Sequence, residues 1–571
     1  MLALSSHAVP NMPPLHHLTG LDAAFLYLET PETPMHVGGL NIFELPLDFE
    51  GEFVDHLRAH IAQRMHLAPV FQRKLVHMPL ELTNPIWVDE PDLDLEYHIR
   101  STVLPKPGNR AQLDRLVGRL HSSLLDRSRP LWEFYVIEGL QPPPDATPGT
   151  RHVGFYSKVH HAAVDGEAGV ALAHAIMDLD AIPRAVSAPR KRRARASEEH
   201  LGMAALTTAG LKHSTIQTVK LAKALPALTR SVLRMLRPPT PRPARGSVAA
   251  NTPTTTWMAP KTPFNVSITN QRSFSSLSLP LDQARLVAKS HGVTLNDVVL
   301  AICSGALRRY LNDHGSLPTT PLLAAVPVSL RAEGNTDMNT QASMVRMSLA
   351  STIEDPIERL HAIHAASSSS KTASAGMKTA MPSDFPSLGT PWIISTAAAL
   401  FGRTRVANRM PPLANLVISN VPGPKVALYM AGARMLTYYP VSIAVHSMAL
   451  NITVQSYNGA LDFGLIACRK ALPDLPVLAD YMQRALRELV TLTPVPAAAP
   501  APEASTLVAP KAPRKPARKP AVKAKATTSQ PAAAPRKAKA AKKTAVPPLV
   551  LVAAATAAPS KARAPRARKN A

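Results

Sequence analysis

Where the charge sits limits what this chain can fold into more than any other feature. Its 571 residues hold 64 Lys and Arg against 39 Asp and Glu, a net of +25. Residues 494–571 alone carry 17 basic residues and one acid, Glu503, while 184–245 carry 14 basic residues against Glu198 and Glu199. The remainder is close to neutral, at −3. A folded body is therefore expected in 17–183 and 251–493, with a flexible N-terminus at 1–16, a basic linker at 184–250 and a tail at 494–571. The tail is Ala, Pro and Lys almost throughout, as in Lys511–Lys525 and Arg536–Lys543. Such a segment buries too little apolar surface to offset its ordering entropy and reads as disordered. Its charge suits any polyanion, nucleic acid or anionic lipid alike. In the linker, Leu225, Leu228, Val232, Met235 and Leu236 recur at helical spacing with Lys223, Arg230, Arg234 and Arg237 between them. That pattern predicts a basic amphipathic helix, either lying on an anionic membrane or packed on its own protein.

Both halves of the body mix the two periodicities. In the first, His36–Leu45, Leu131–Leu140 and Arg151–His161 read as strands, Glu52–Met65 and Ala111–Leu125 as helices, and Glu167–Leu179 as an apolar helical stretch. In the second, Leu295–Leu311 reads as a helix and Leu322–Leu330 and Leu413–Ser419 as buried strands. Leu450–Tyr457 and Ala460–Cys468 flank Asn458-Gly459, a favoured two-residue hairpin turn. The class is α/β or α+β.

Several chemistries drop out early. Two cysteines, Cys303 and Cys468, make neither a disulfide framework nor a four-thiolate zinc site, and the compartment reads as reducing. No two glycines lie two or four residues apart, which removes the dinucleotide fingerprint and the serine-hydrolase elbow. His361 and His364 have no third metal ligand nearby in sequence. Met1–Pro14 lacks the parts of a secretory signal, and no run reaches the roughly 18 apolar residues of a membrane span. A cytoplasmic protein in peripheral contact with the inner membrane or with lipid inclusions is expected.

The sharpest motif is His160-His161-Ala162-Ala163-Val164-Asp165-Gly166, where a strand gives way to a helix. Neighbours on a strand face opposite sides, so one histidine works and the other supports it. A neutral imidazole there can take the proton of an attacking hydroxyl. Asp165 is placed to fix the loop through an ion pair, with Arg331 as one candidate partner, and Gly166 turns the chain. No Ser or Cys nucleophile is supplied, so the electrophile must arrive activated, as a thioester is. A pair of core histidines or of zinc ligands would fit the same residues.

This segment resembles the bacterial wax ester synthase/diacylglycerol acyltransferase family, part of the wider HHxxxDG group of CoA-dependent acyltransferases and condensation domains. The likeness spans about 17–493. It also rests on Leu18–Asp22, Pro34–Gly39, Pro130-Leu131-Trp132, Asn296-Asp297, Val326–Arg331 and Ser419–Pro424. The resemblance implies two chloramphenicol-acetyltransferase-like domains side by side, with a tunnel between them and His161 at its midpoint as general base. Acyl-CoA, as substrate and not cofactor, would meet a diacylglycerol or long-chain alcohol there. No cofactor or metal is expected. It further implies that Asn296 and Asp297 lie near the tunnel, Asn296 as a possible oxyanion donor. Thr294 and Asp297 also read as an N-cap and N3 pair, and Trp132 reads as core or tunnel wall. Two other functions compete: a condensation-type acyltransferase using carrier-protein thioesters, and a lipid-inclusion protein tethered to DNA by its tail.

Overall fold

The structure, a computed structural model, describes residues 16–77, 84–143, 146–164, 172–187, 258–329, 342–377 and 391–494. The expected linker helix, Asp165, Gly166, Arg331 and the tail beyond Pro494 lie outside the described residues. The first half carries β1 (His16–His17), α1 (Gly20–Leu28), β2 (His36–Glu44), α2 (Phe53–Arg64), β3 (Arg73–Val76), β4 (Ile86–Asp89), α3 (Leu95–His98), β5 (Ile99–Val103), α4 (Arg110–Ser122), β6 (Trp132–Glu138) and β7 (His152–His160). The second carries β8 (Arg272–Pro280), α5 (Leu281–Ser290), α6 (Leu295–Asp313), β9 (Leu323–Ser329), β10 (Ala342–Ser348), α7 (Pro356–Met377) and α8 (Pro391–Arg403). It continues with β11 (Leu416–Val421), β12 (Tyr429–Met430), β13 (Ala433–Val441), β14 (Leu450–Tyr457), β15 (Ala460–Cys468) and α9 (Leu475–Thr491). The class is mixed α/β, as the alternating periodicities require.

Two six-stranded sheets organise the body, ordered β12-β13-β2-β7-β6-β5 and β10-β9-β11-β14-β15-β8. A small third sheet joins β1, β4 and β3. β2 and β7 are central, and every residue of β7 is buried. They pair antiparallel with His36 opposite His160. Gly38 makes that approach possible, since a Cβ there would sit 1.8 Å from the Ser157 carbonyl oxygen. The Asn458-Gly459 turn joins β14 to β15 with both residues at positive φ, the geometry of a type I′ hairpin. Thr294 and Asp297 form a full capping box at the start of α6.

Strand pairing does not respect the division at the basic linker. After β11 the chain crosses over, and β12 and β13 complete the first sheet, β13 running antiparallel to β2. The Tyr457 hydroxyl holds this crossover, accepting from the Leu428 N–H at 2.9 Å and donating to the Met435 carbonyl at 2.8 Å. In return, α4 of the first half packs on β8 of the second sheet. Gly118 faces the Arg272 carbonyl, and Asp114 accepts from the Ser276 hydroxyl at 2.6 Å. The seam is polar but neutral at its histidines. His121 bonds the Ser442 carbonyl and the Tyr156 hydroxyl, and burial drives its pKa down to about 3.

Candidate active site

β7 stops at His160 because that side chain folds back on its own chain. Its Nδ1 accepts the Ala162 N–H at 3.1 Å and caps a short 3-10 turn over His161–Ala163. An accepting Nδ1 leaves the ring proton on Nε2, which stands 3.2 Å from Glu29 Oε2, both side chains fully buried. The strand-face alternation that the sequence carries through to His161 therefore ends one residue early. His161 opens the turn, with its N–H on the Met35 carbonyl at 2.8 Å. Its ring stacks on Phe25, with centroids 3.8 Å apart and planes 16° off parallel. The side chain is 8% exposed. Burial first, then the neighbouring His160, pulls its pKa down to about 4, against a small opposing bond to its own carbonyl. His161 is thus a neutral imidazole at physiological pH, ready to receive a proton.

Both histidines are braced by α1. Thr19 caps this helix, accepting the Asp22 N–H at 3.2 Å. Phe25 and Glu29 follow four residues apart on one face, so Phe25 meets His161 and Glu29 meets His160. Glu29 Oε1 accepts from Arg127 Nε at 3.1 Å and Nη2 at 2.7 Å, and Oε2 accepts the Met35 N–H at 3.0 Å. Burial alone would raise this carboxyl, but His160, Arg127 and the Met35 N–H outweigh it and hold the pKa near about 2. One residue, Met35, thereby links the two histidines. Glu29 holds the N–H of Met35 while its carbonyl holds His161.

Sequence reasoning missed Glu29, Phe25 and Arg127. The signal available was an acid ending the apolar run Phe25–Leu28, directly ahead of the Pro34–Gly39 landmark, where a buried histidine pair needs a counter-charge.

The other expected site residues fall in different surroundings. Trp132 lies one strand over, opposite Val159. Its indole is 1% exposed, stacks on His98 at 4.3 Å, and donates to the Phe71 carbonyl at 3.3 Å, which places it in the core of the first sheet. The preceding Leu131 comes closer to the site, because its carbonyl accepts the His160 N–H at 2.9 Å. Asn296 Oδ1 accepts from Asn420 Nδ2 at 3.3 Å, which brings two landmarks together. Asp297 is fully buried. Beyond its capping role it accepts from His364 Nδ1 at 2.7 Å, tying α6 to α7. Burial pushes its carboxyl up, but the bonds from His364 and Thr294 outweigh it and the pKa is lowered.

The likeness to known proteins bears on what such a turn does. The profile of the wax ester synthase/diacylglycerol acyltransferase catalytic domain matches residues 18–299, and that of the WS/DGAT C-terminal domain matches 339–490. The chain belongs to the wax ester synthase/diacylglycerol acyltransferase family. It is therefore an acyltransferase, with the paired-histidine turn in the part matched by the catalytic profile. A putative diacylglycerol O-acyltransferase of Mycobacterium tuberculosis is 36% identical over 481 residues, covering 83% of this chain and 99% of its own length. A second from the same organism is 34% identical over 491 residues, covering 86% and 93%. The solved wax ester synthase/diacylglycerol acyltransferase from Marinobacter aquaeolei VT8 is 30% identical with a TM-score of 0.58, covering 83% of this chain and 98% of that one. The two-lobed, chloramphenicol-acetyltransferase-like architecture is thus that of the family. Most of the sequence outside the matched span is the basic tail.

Proposed function

We propose that the chain moves a long-chain acyl group from acyl-CoA to the hydroxyl of a diacylglycerol, giving triacylglycerol, or of a long-chain alcohol, giving a wax ester. The observation that carries this reading is the His161 ring, kept neutral by burial at the end of β7 and braced by Phe25. In the reaction the alcohol oxygen attacks the thioester carbonyl carbon while its proton passes to the free ring nitrogen. The carbon–sulfur bond then breaks, and the imidazolium returns the proton to the departing CoA sulfur. Ester and free CoA leave, with no acyl-enzyme. A ring with a pKa near 4 is a weak base in the empty site, but the oxyanion that develops beside it stabilises the imidazolium as it forms. His160 would act as the bracing partner, with Asp165 and Gly166 completing the turn. Asn296 would lie near the reacting atoms, and Asp297 and Trp132 would support their surroundings from the core.

Both substrates and the product partition into lipid, so the same reading puts the protein peripherally at a membrane or lipid inclusion. Among the described residues no single helix is long and apolar enough to cross a membrane. Contact of the tail with nucleic acid is a separate proposal, tested by gel shift of the full chain against one ending at Pro494.

The deciding assay supplies purified protein with palmitoyl-CoA and either hexadecanol or a diacylglycerol, following free CoA and the lipid product. His161→Ala is expected to lower the rate about 10²- to 10⁴-fold. A loss smaller than about tenfold removes the general-base assignment. Activity with an acyl-carrier-protein donor but none with acyl-CoA would replace this reading with the condensation-type one.

A further inference from the structure

The C-terminal end of α8 and the turn after it carry exposed apolar side chains and arginines together. Leu400, Phe401, Met410 and Leu413 are between 37% and 64% exposed, and Arg403, Arg405 and Arg409, also exposed, lie between them. No Asp or Glu occurs between Asp384 and Asp462. Among the described residues none of these three guanidinium groups has a carboxylate partner.

The turn is fastened from beneath. Ala407 is fully buried, and Asn408 accepts the Ser267 N–H at 2.6 Å through its side chain and Lys261 Nζ at 2.6 Å through its carbonyl. The Pro412 carbonyl accepts the Ala259 N–H at 2.9 Å, and Gly402 lies close under His446. Arg405 takes a left-handed conformation, φ 52°, which reverses the chain at the helix end. The inner side is thus held by hydrogen bonds and packing, while the apolar tips and the arginines face outward. Side chains fixed in that alternation, with no acid among them, do not suit a protein partner that must match each cation. They suit a continuous sheet of negative headgroups over hydrocarbon.

The position in the fold gives the surface a purpose. α8 packs against α1, and α1 packs against the turn that carries His161. Leu28, at the end of α1, is exposed as well. We infer that the segment Leu400–Leu413, with its apolar tips inserted and Arg403, Arg405 and Arg409 at headgroup level, docks the enzyme on an anionic lipid bilayer one helix away from its catalytic base. This deepens the acyltransferase reading, since a diacylglycerol or fatty alcohol lives in that bilayer and would reach the site without crossing water.

The test must separate this surface from the basic tail, whose charge alone would draw it to anionic vesicles. Cys303 and Cys468 are both buried, so a single cysteine placed at Leu400 or Leu413 takes an environment-sensitive fluorophore selectively. The labelled full-length Leu400→Cys and Leu413→Cys proteins are mixed with vesicles of phosphatidylcholine and phosphatidylglycerol in equal parts, at high salt to screen the tail. The expected result is a blue shift and quenching by nitroxide-labelled lipids at both positions, and neither at exposed Val103→Cys. Arg403→Gln, Arg405→Gln and Arg409→Gln should each weaken vesicle partition at low salt, by roughly fivefold per residue. Probes at 400 and 413 that stay as wet as the one at 103, while the protein sediments with the vesicles, would overturn the inference. So would equal insertion into pure phosphatidylcholine at low salt, where the arginines are unscreened. A blue shift present without vesicles and lost on dilution would also overturn it, because a second copy would then cover the patch. Combining either label with His161→Ala leaves insertion unchanged if the inference holds, so its failure and that of the catalytic reading are told apart.

Discussion

If burial is what keeps His161 neutral, uncovering the ring should move the acid limb of the pH–rate profile. Phe25 lies flat on one face of that imidazole at 3.8 Å, so Phe25→Ala admits water where the structure now has an aromatic ring. With a pKa near 4, about 97% of the enzyme holds the free base at about pH 5.5. With the ordinary value of about 6.5, only about 9% would. The wild-type kcat/KM should therefore be almost flat from about pH 7.5 to 5.5 and fall with a midpoint near 4. The Phe25→Ala profile should bend upward in pH and lose up to about tenfold at pH 5.5 relative to its own rate at pH 7.5. The sign follows from the group. A depressed histidine pKa keeps the base form available to lower pH, and relieving the depression removes that range. Ester formation from palmitoyl-CoA and hexadecanol is measured by thin-layer chromatography at each pH, with samples returned to neutral pH to show that no activity was lost to unfolding. A wild-type midpoint near 6.5, or coincident profiles for the two proteins, would refute the argument that desolvation sets this base.

Three further outcomes are expected. Glu29→Gln removes the charge that Arg127 Nη2 hydrogen-bonds at 2.7 Å and that faces His160 Nε2 at 3.2 Å, a charge-assisted hydrogen bond being worth about 1.5–3 kcal/mol. kcat should fall with KM for acyl-CoA unchanged, and kcat within twofold of wild type would show that the brace does not position the base. Thr294→Ala breaks the capping box at α6 and should cost about 1 kcal/mol in urea unfolding, with turnover per folded molecule retained. Asp462 lies between the sheets, bonded to Ser278 and the Tyr438 N–H, and burial pushes its pKa up to about 7. The native state then holds that proton more tightly than the unfolded chain does. Stability should fall as pH rises from about 4 to 7, with a slope approaching about 1.4 kcal/mol per unit. Asp462→Asn should flatten that slope, and parallel curves for the two proteins would mean that the carboxyl is ionised throughout.

What could be read from the sequence is what neighbours in the chain decide. The type I′ turn at Asn458-Gly459 needs two residues that tolerate positive φ, and the cap of α6 needs Thr294 and Asp297 three apart. Both signals are local, and the structure follows both. Hydrophobic alternation carries β7 one residue too far, because the bond that stops it, from the Ala162 N–H to the His160 side chain, leaves no mark on that pattern. The destination of β13 was not legible at all. An apolar strand pattern states that a segment will pair, but not with which sheet, and Ala433–Val441 pairs with a strand near the other end of the chain. Glu29 escaped for the same reason, since Arg127 and His160 lie about a hundred residues or more beyond it in sequence.

The placement of Glu29 also bears on how the base works. In a hydrolytic triad a carboxylate contacts the catalytic histidine and stabilises its charged form before any substrate charge exists. Here the buried carboxylate contacts the first histidine instead, and the next buried acid along the sheet, Glu133, is taken by Lys158 at 2.8 Å. Among the described residues no carboxylate touches the His161 ring, and Phe25 covers one of its faces. An imidazolium at that position has little to stabilise it until the thioester oxygen becomes negative. The charge-stabilising interaction therefore belongs to the transition state more than to the empty site, which is the condition for binding energy to raise kcat. Placing a permanent carboxylate on the ring, as Phe25→Asp would, should raise the pKa of His161 yet lower the rate at neutral pH. A rate that rose with the pKa would place the stabilising interaction in the ground state instead.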